Sequence, residues 1–138
     1  MMRSLMNIPV SYNCYCDSQK LFRNCCEPLL KDLRLAKTPL QLMRSRFTAY
    51  KLGGYGDYLL KTWFPLTSQG VDAAELSQKS RHWQQLRIIN KSQQGDNGLV
   101  EFEAQFVDAA GDHQVHHEQS IFRRVESVWL YVGEEVRT

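Results

Sequence analysis

The stretch CYCDSQKLFRNCC, from Cys14 to Cys26, holds all four cysteines of a 138-residue chain. Its spacing, C-x-C-x8-C-C, restricts what the front of the chain can become. Adjacent Cys25 and Cys26 would close a strained ring as a disulfide, and Cys14 with Cys16 is little better. Cross-pairing between the two ends is the remaining oxidised alternative. The opening MMRSLMNIPVSYN lacks the apolar run of roughly 7–15 residues that an export signal needs. Thiols kept in the cytosol stay reduced, and a redox C-x-x-C is absent. Four thiolates around one Zn²⁺ suit the clustering better, with two close pairs clamping the metal and an eight-residue loop between them. The expectation is one structural zinc ion on Cys14, Cys16, Cys25 and Cys26. Four protein ligands leave no coordination position for water, so chemistry is expected elsewhere.

Charge divides along the chain. Residues 1–51 carry nine Lys and Arg against three Asp and Glu, or +6, and residues 52–138 carry eight against twelve, or −4. A four-thiolate zinc site contributes about −2, which trims the front surplus. A basic front segment suits acidic protein surfaces, and nucleic acid is not excluded as a partner. No apolar run approaches the roughly 20 residues of a membrane span. A cytoplasmic protein without membrane partners is expected.

After a linker with short helical tendency (EPLLKDLRLAK), Thr38 and Pro39 signal a helix start. Leu40, Met43, Phe47 and Tyr50 make one apolar face, and Gly53-Gly54 ends the helix. The GGYG stretch lacks the Lys-Ser/Thr of a phosphate loop. Asp57 is expected to cap a second helix, DYLLKTWF, stopped by Pro65, and residues 71–79 suit a third. Leu86–Ile89 is β-prone, and SQQGDNG (residues 92–98) reads as a turn. Val100, Phe102, Ala104 and Phe106 then alternate with Glu101, Glu103 and Gln105, the pattern of a half-buried antiparallel strand. Further strands follow at residues 113–124 and 128–132, after turns at DAAGD and Glu126-Ser127. Helices followed by a strand meander predict an α+β layer fold: two or three helices packed on a curved antiparallel sheet. The division expected is a zinc-binding segment and linker over residues 1–37, and an α+β domain over residues 38–138.

Two resemblances sharpen this. The block from Cys14 to Cys26 looks like the SEC-C zinc motif, named for the tail of the SecA translocation motor, where it binds zinc and contacts the chaperone SecB. Tyr15 stands where that motif usually has Pro, and Asp17 and Gln19 stand where it has Gly. The segments TPLQLMRSRFTAYKLGGYGDYLLKTWFP and LVEFEAQFVDAAGDHQVHHEQSIFRRVESVWLYV resemble the YchJ family of uncharacterised bacterial proteins. That resemblance implies a SEC-C zinc segment followed by a nuclear-transport-factor-2-like cone. It also implies a chaperone-, translocase- or ribosome-linked protein partner. Many members carry a second SEC-C motif near the C-terminus; this sequence holds one such block.

Inside a cone, acid–base work needs a titratable group near apolar walls. Candidates are Glu118, His116, His117, Asp57 and Tyr58. His116 and His117 are neighbours on a strand and point to opposite faces. Glu118 shares parity with His116, Ser120 and Phe122, and Arg44 or Arg46 of MRSRF could pair with it. Tyr50, Trp63 and Trp129 are expected to help line a pocket. Lys20, Phe22 and Arg23 are the candidate partner surface, with Phe22 also suited to packing inside the knuckle. The first expectation is a non-enzymatic zinc-binding adaptor. The second is a small-molecule binder or enzyme using the cone, which requires a solvent-reachable cavity with a charged group at its bottom.

Overall fold

The computed structural model describes residues 12–79 and 81–135. The reading of residues 1–11 as lacking a signal, and the outermost ends of the two expected segments, lie outside these residues. A 3-10 turn (Phe22–Asn24) and α1 (Glu27–Leu30) complete the front segment, followed by α2 (Pro39–Leu52), α3 (Gly56–Lys61) and α4 (Ala73–Leu76). Four strands then form one antiparallel meander in the order β1 (His82–Gln94), β2 (Asn97–Val107), β3 (His113–Val125) and β4 (Val128–Glu134).

Helix α2 begins and ends where its sequence signals lie. The Thr38 side chain accepts the Gln41 amide at 3.1 Å, Pro39 opens the helix, and Gly53 closes it at φ 75°. Its buried surface is wider than one stripe: Ser45, Arg46 and Thr48 are buried along with Leu42, Met43, Phe47 and Ala49. The sheet covers one side and the cysteine segment covers another, so polar residues flanking the apolar stripe are enclosed as well.

The other helices are shorter than their sequence patterns. α3 starts at Gly56 with Tyr55 at the cap position, so Asp57 sits in the first turn and is not the cap. Trp63 and Phe64 leave the helix because their backbone joins the sheet edge: Phe64 N–H donates to Tyr131 C=O at 2.7 Å, and Tyr131 N–H to Thr62 C=O at 2.8 Å. α4 is a single turn, capped by the Asp72 side chain on the Ala74 amide at 3.1 Å.

β1 runs on to Gln94, and the expected seven-residue turn shrinks to Gly95-Asp96 between paired Gln94 and Asn97. Arg124 pins that turn by donating from Nε to Asp96 at 2.8 Å. Glu126 and Ser127 form the last turn, both with positive φ (50° and 68°), the geometry that matches strand twist in a two-residue hairpin. Register shifts occur between Trp83 and Gln85, Ile88 and Asn90, and Ile121 and Phe122, the kind of irregularity that bends a strand and increases its twist. Val100, Phe102, Ala104 and Phe106 all face inward and are buried. Outside, the acids of β2 are engaged: Glu103 pairs with Arg87, and Glu101 with His117 at 2.6 Å.

The front segment shares the core of the cone. Cys14, Cys16, Phe22, Cys26, Leu29 and Leu30 belong to the same buried cluster as Leu42, Phe47, Val100 and Trp129.

Candidate metal centre and cone cavity

The cysteine segment folds back as a short hairpin, bridged at Asn13 and Leu21, with Cys14 N–H donating to Lys20 C=O at 2.7 Å. Asp17 and Gln19 occupy left-handed backbone at φ 60° and 69°, the conformation glycine adopts most easily. Asp17 has a compensating contact: its carboxylate accepts the Leu86 amide of β1 at 2.8 Å, tying the hairpin to the sheet.

This backbone places the four sulfurs within 4.8 Å of one another, with Cys16 to Cys25 at 3.6 Å and Cys25 to Cys26 at 4.0 Å. A tetrahedral Zn²⁺ with bonds of about 2.3 Å separates its sulfurs by about 3.8 Å. The donor set and spacing therefore fit a four-cysteine metal site. Cys14, Cys16 and Cys26 are buried and Cys25 is half-buried, and four thiolates would fill the coordination sphere of a tetrahedral ion. Hydroxyls supply outer contacts, from Ser18 to Cys25 at 3.2 Å and from Thr48 to Cys26 at 3.4 Å. The thiols share protons: bonding to Cys14 pulls Cys16 well down and Cys25 to about 6, while contact with Cys16 pushes Cys14 up and contact with Cys14 pushes Cys26 up. Binding of a cation to four thiolates would release the remaining thiol protons to solvent.

Arg44 and Arg46 separate at this point. Two residues along a helix turn by roughly 200°, so they leave α2 on opposite sides. Arg44 does not reach the cone interior; its Nη1 donates to Cys16 C=O at 2.6 Å, placing a cation beside the cysteines. Arg46 points into the cone, where Nη1 donates to Leu59 C=O at 2.6 Å and Thr62 Oγ1 at 2.7 Å. Its head lies over the rings of Tyr131 and Trp63, at 4.6 and 5.2 Å. Burial pulls its pKa down, against the opposing field of Tyr50, Tyr131, Tyr58 and Glu118.

Between α2 and the sheet lies a cavity of about 360 Å³. Phe47, Trp83, Phe102 and Phe122 form its apolar wall; Tyr50, Trp63, Arg46, Arg81, His116 and Glu118 also line it. Glu118 does not pair with either arginine. It accepts from His116 Nε2 at 3.0 Å, Ser120 Oγ at 2.5 Å and Tyr131 Oη at 2.8 Å. Burial pushes its pKa up, but those three donors, led by His116, outweigh burial and hold it below the ordinary value of 4.5. Burial and the Glu118 charge push Tyr131 well up, so it stays a donor.

A carboxyl with a depressed folded pKa stabilises the fold above its unfolded pKa and loses that contribution as pH falls through the folded one. Wild type is therefore expected to melt above Glu118→Gln at pH 7, with the gap closing as pH drops below 4.5. Paired thermal melts check this; a gap that persists unchanged at pH 3 would contradict it.

The other candidates sit elsewhere. Trp129 does not line the cavity: it is 2% exposed, about 7 Å before Tyr131 on β4, under Arg124 and beside Gly98. Tyr58 is a core residue whose hydroxyl meets Ser45 at 2.6 Å, and burial pushes its pKa up to about 12. His117 faces outward to Glu101, and Asp57 is exposed. Phe22 is buried against Tyr12 and Tyr15, so of the expected partner surface Lys20 and Arg23 remain exposed. Arg81 was missed as a site residue, and so was the hydrogen bond from Tyr131 to Glu118. Strand parity pointed to Ser120, but Tyr131 reaches Glu118 only through cross-strand register.

Comparison with known proteins agrees with this architecture. Residues 38–134 match the family described as YchJ, middle NTF2-like domain. A UPF0225 protein of Serratia proteamaculans is 37% identical over 124 residues, covering 86% of this chain and 80% of the relative. One from Geobacter sulfurreducens is 36% identical over 123 residues, covering 86% and 75%. The solution structure of a SEC-C motif containing protein from Rhodopseudomonas palustris superposes with a TM-score of 0.83 at 36% identity, over 92% of this chain and all of that one. A SEC-C-like cysteine knuckle joined to a nuclear-transport-factor-2-like cone, with relatives of this closeness, makes the chain a member of the YchJ (UPF0225) family.

Proposed function

We propose that this protein binds a small organic molecule in its cone, and that a single zinc ion on Cys14, Cys16, Cys25 and Cys26 braces the cone from outside. The cavity carries the reading. At about 360 Å³ it falls within the roughly 300–1,000 Å³ of small-molecule sites, and it combines aromatic walls with a few charged groups. An interior filled by its own aromatics would have argued for a scaffold alone. Four reduced thiols suit a cytoplasmic setting, and no helix among the described residues is long and apolar enough to cross a membrane.

Two measurements test the two halves. Native mass spectrometry should show the chain plus one zinc, lost to a strong chelator; a metal-free mass short by the hydrogens of two disulfides would refute the zinc. A fragment screen read by NMR should move amide and indole signals of α2, β2 and β3. Hits confined to the outer surface would refute the cavity reading.

An adaptor role has one observation in its favour. A second groove, about 410 Å³, runs between the knuckle and α2 and is lined by Lys20, Arg34, Lys37 and Arg44 without an acidic side chain. A protein partner there would present acidic groups.

A further inference from the structure

Arg46 is 5% exposed, and no carboxylate lies within ion-pair distance of it among the described residues. Its hydrogen-bonded partners at Nη1 are neutral, a backbone carbonyl and a threonine hydroxyl. A guanidinium brings five donors and a full charge, and burying one without a counter-ion is expensive. Glu118, which lines the same cavity, compensates only at a distance, because its oxygens are already taken by His116, Ser120 and Tyr131. The indole Nε1 of Trp63, whose ring lies against Arg46, is buried with no acceptor. At close range the Arg46 charge thus meets only neutral groups, namely the Leu59 carbonyl, the Thr62 and Tyr50 hydroxyls and the faces of Trp63 and Tyr131, with no anion among them.

Beyond Arg46 and Arg81, the polar groups of the lining are Glu118, His116 and the Tyr50 and Tyr131 hydroxyls, and most of the remainder is apolar. Met43, Phe47, Phe102 and Phe122 offer no polar side-chain atoms apart from a thioether. At the rim, exposed Arg81 lies over Phe106 at 4.5 Å and Trp83 at 5.7 Å, adding a second cation along the approach. Two arginines against one carboxylate leave the lining one positive charge when His116 is neutral.

We infer that the cavity takes a small organic carboxylate with an apolar or aromatic body: the carboxylate answers Arg46, and the body packs on Phe102 and Phe122. This rests on the cavity being a ligand site, as proposed above. A carboxylate accepts without donating, and its planar pair of oxygens matches the guanidinium fork. Neutral analogues would leave the buried charge unanswered, and amines would meet it with repulsion.

The test uses the full zinc-loaded chain and three probes of one shape: phenylacetate, phenylacetamide and phenethylamine. Titrations are followed by NMR at the Trp63 indole and by tryptophan fluorescence. Phenylacetate is expected to bind about tenfold tighter than the amide, or about 1.4 kcal/mol, with the amine weakest. Arg46→Gln should abolish the preference. Arg81→Gln, at an exposed position, should reduce phenylacetate affinity and steepen no other probe's response. Should Arg46→Gln fail to fold, the acid-to-amide ratio in wild type still decides. Equal affinity for acid and amide would overturn the carboxylate inference and leave the cavity reading standing. If none of the three shifts a cavity resonance at millimolar concentration, both fall.

Discussion

Stripping the metal, or replacing Cys26 by Ser, is expected to lower the melting temperature of the whole chain by roughly 15 °C or more. The sequence pattern suggested a separable knuckle ahead of an independent cone. The packing argues for one cooperative unit. Cys16 and Cys26 are 0% and 1% exposed and lie in the same core as Leu42, Phe47 and Trp129. Thr48, in the middle of α2, is fully buried with its hydroxyl on the Cys26 sulfur. Arg44 holds the Cys16 carbonyl, and Asp17 holds the Leu86 amide of β1. A knuckle that opens would expose the second buried face of α2, the helix that carries Arg46 into the cavity. Structural zinc contributes on the order of 10 kcal/mol in small peptides, comparable to the roughly 5–15 kcal/mol of an entire domain. Circular dichroism melts and amide exchange check this. Single coincident transitions, with β2 and β3 amides losing protection along with residues 14–30, are expected. If the sheet keeps its protection and its melting temperature while the knuckle exchanges freely, the shared-core argument is wrong.

What the sequence revealed follows from which interactions are local. Thr38-Pro39, Gly53 and the alternation from Leu99 to Val107 act within a few residues, and the structure places those elements where the patterns do. The cysteine spacing is local too, so the cluster was legible from thirteen residues. Long-range pairing was not. α3 ends early because Thr62 and Phe64 bond to Tyr131, which lies 67 to 69 residues away in sequence. The cation of MRSRF that enters the cone was undecided because both arginines flank the apolar stripe; only the position of the knuckle settles that Arg44 turns outward to Cys16. Glu118 was read from parity, but its partners depend on how β3 and β4 are offset around the shift at Ile121 and Phe122. Asp17 and Gln19 made the same point from the opposite side. Their left-handed backbone, costing about 1–2 kcal/mol per ordinary residue, is imposed by the closure of the hairpin.

Gly56→Ala is expected to destabilise the protein by about 3 kcal/mol or more and to weaken the cavity at the same time. A methyl group there would lie 1.7 Å from the Ala73 carbonyl oxygen and 2.4 Å from the Ser77 hydroxyl. The first of these is backbone and cannot rotate away. The Gly56 amide also donates to Ser77 Oγ at 2.7 Å, a bond that would be lost as α3 and α4 move apart. α3 matters beyond its own stability, because Leu59 C=O and the neighbouring Thr62 hydroxyl are the acceptors that hold Arg46. Gly54→Ala is the control. Gly54 has φ 84° but open space around its Cα, so an added methyl costs only the backbone preference, about 1 kcal/mol. Urea titration of both variants, with phenylacetate affinity measured under native conditions, separates steric from conformational effects. Gly56→Ala should lose both stability and the acid-over-amide preference, while Gly54→Ala keeps the preference. Equal losses in the two variants would mean that the contact between α3 and α4 is looser than this close approach implies, and that Arg46 is held by α2 alone.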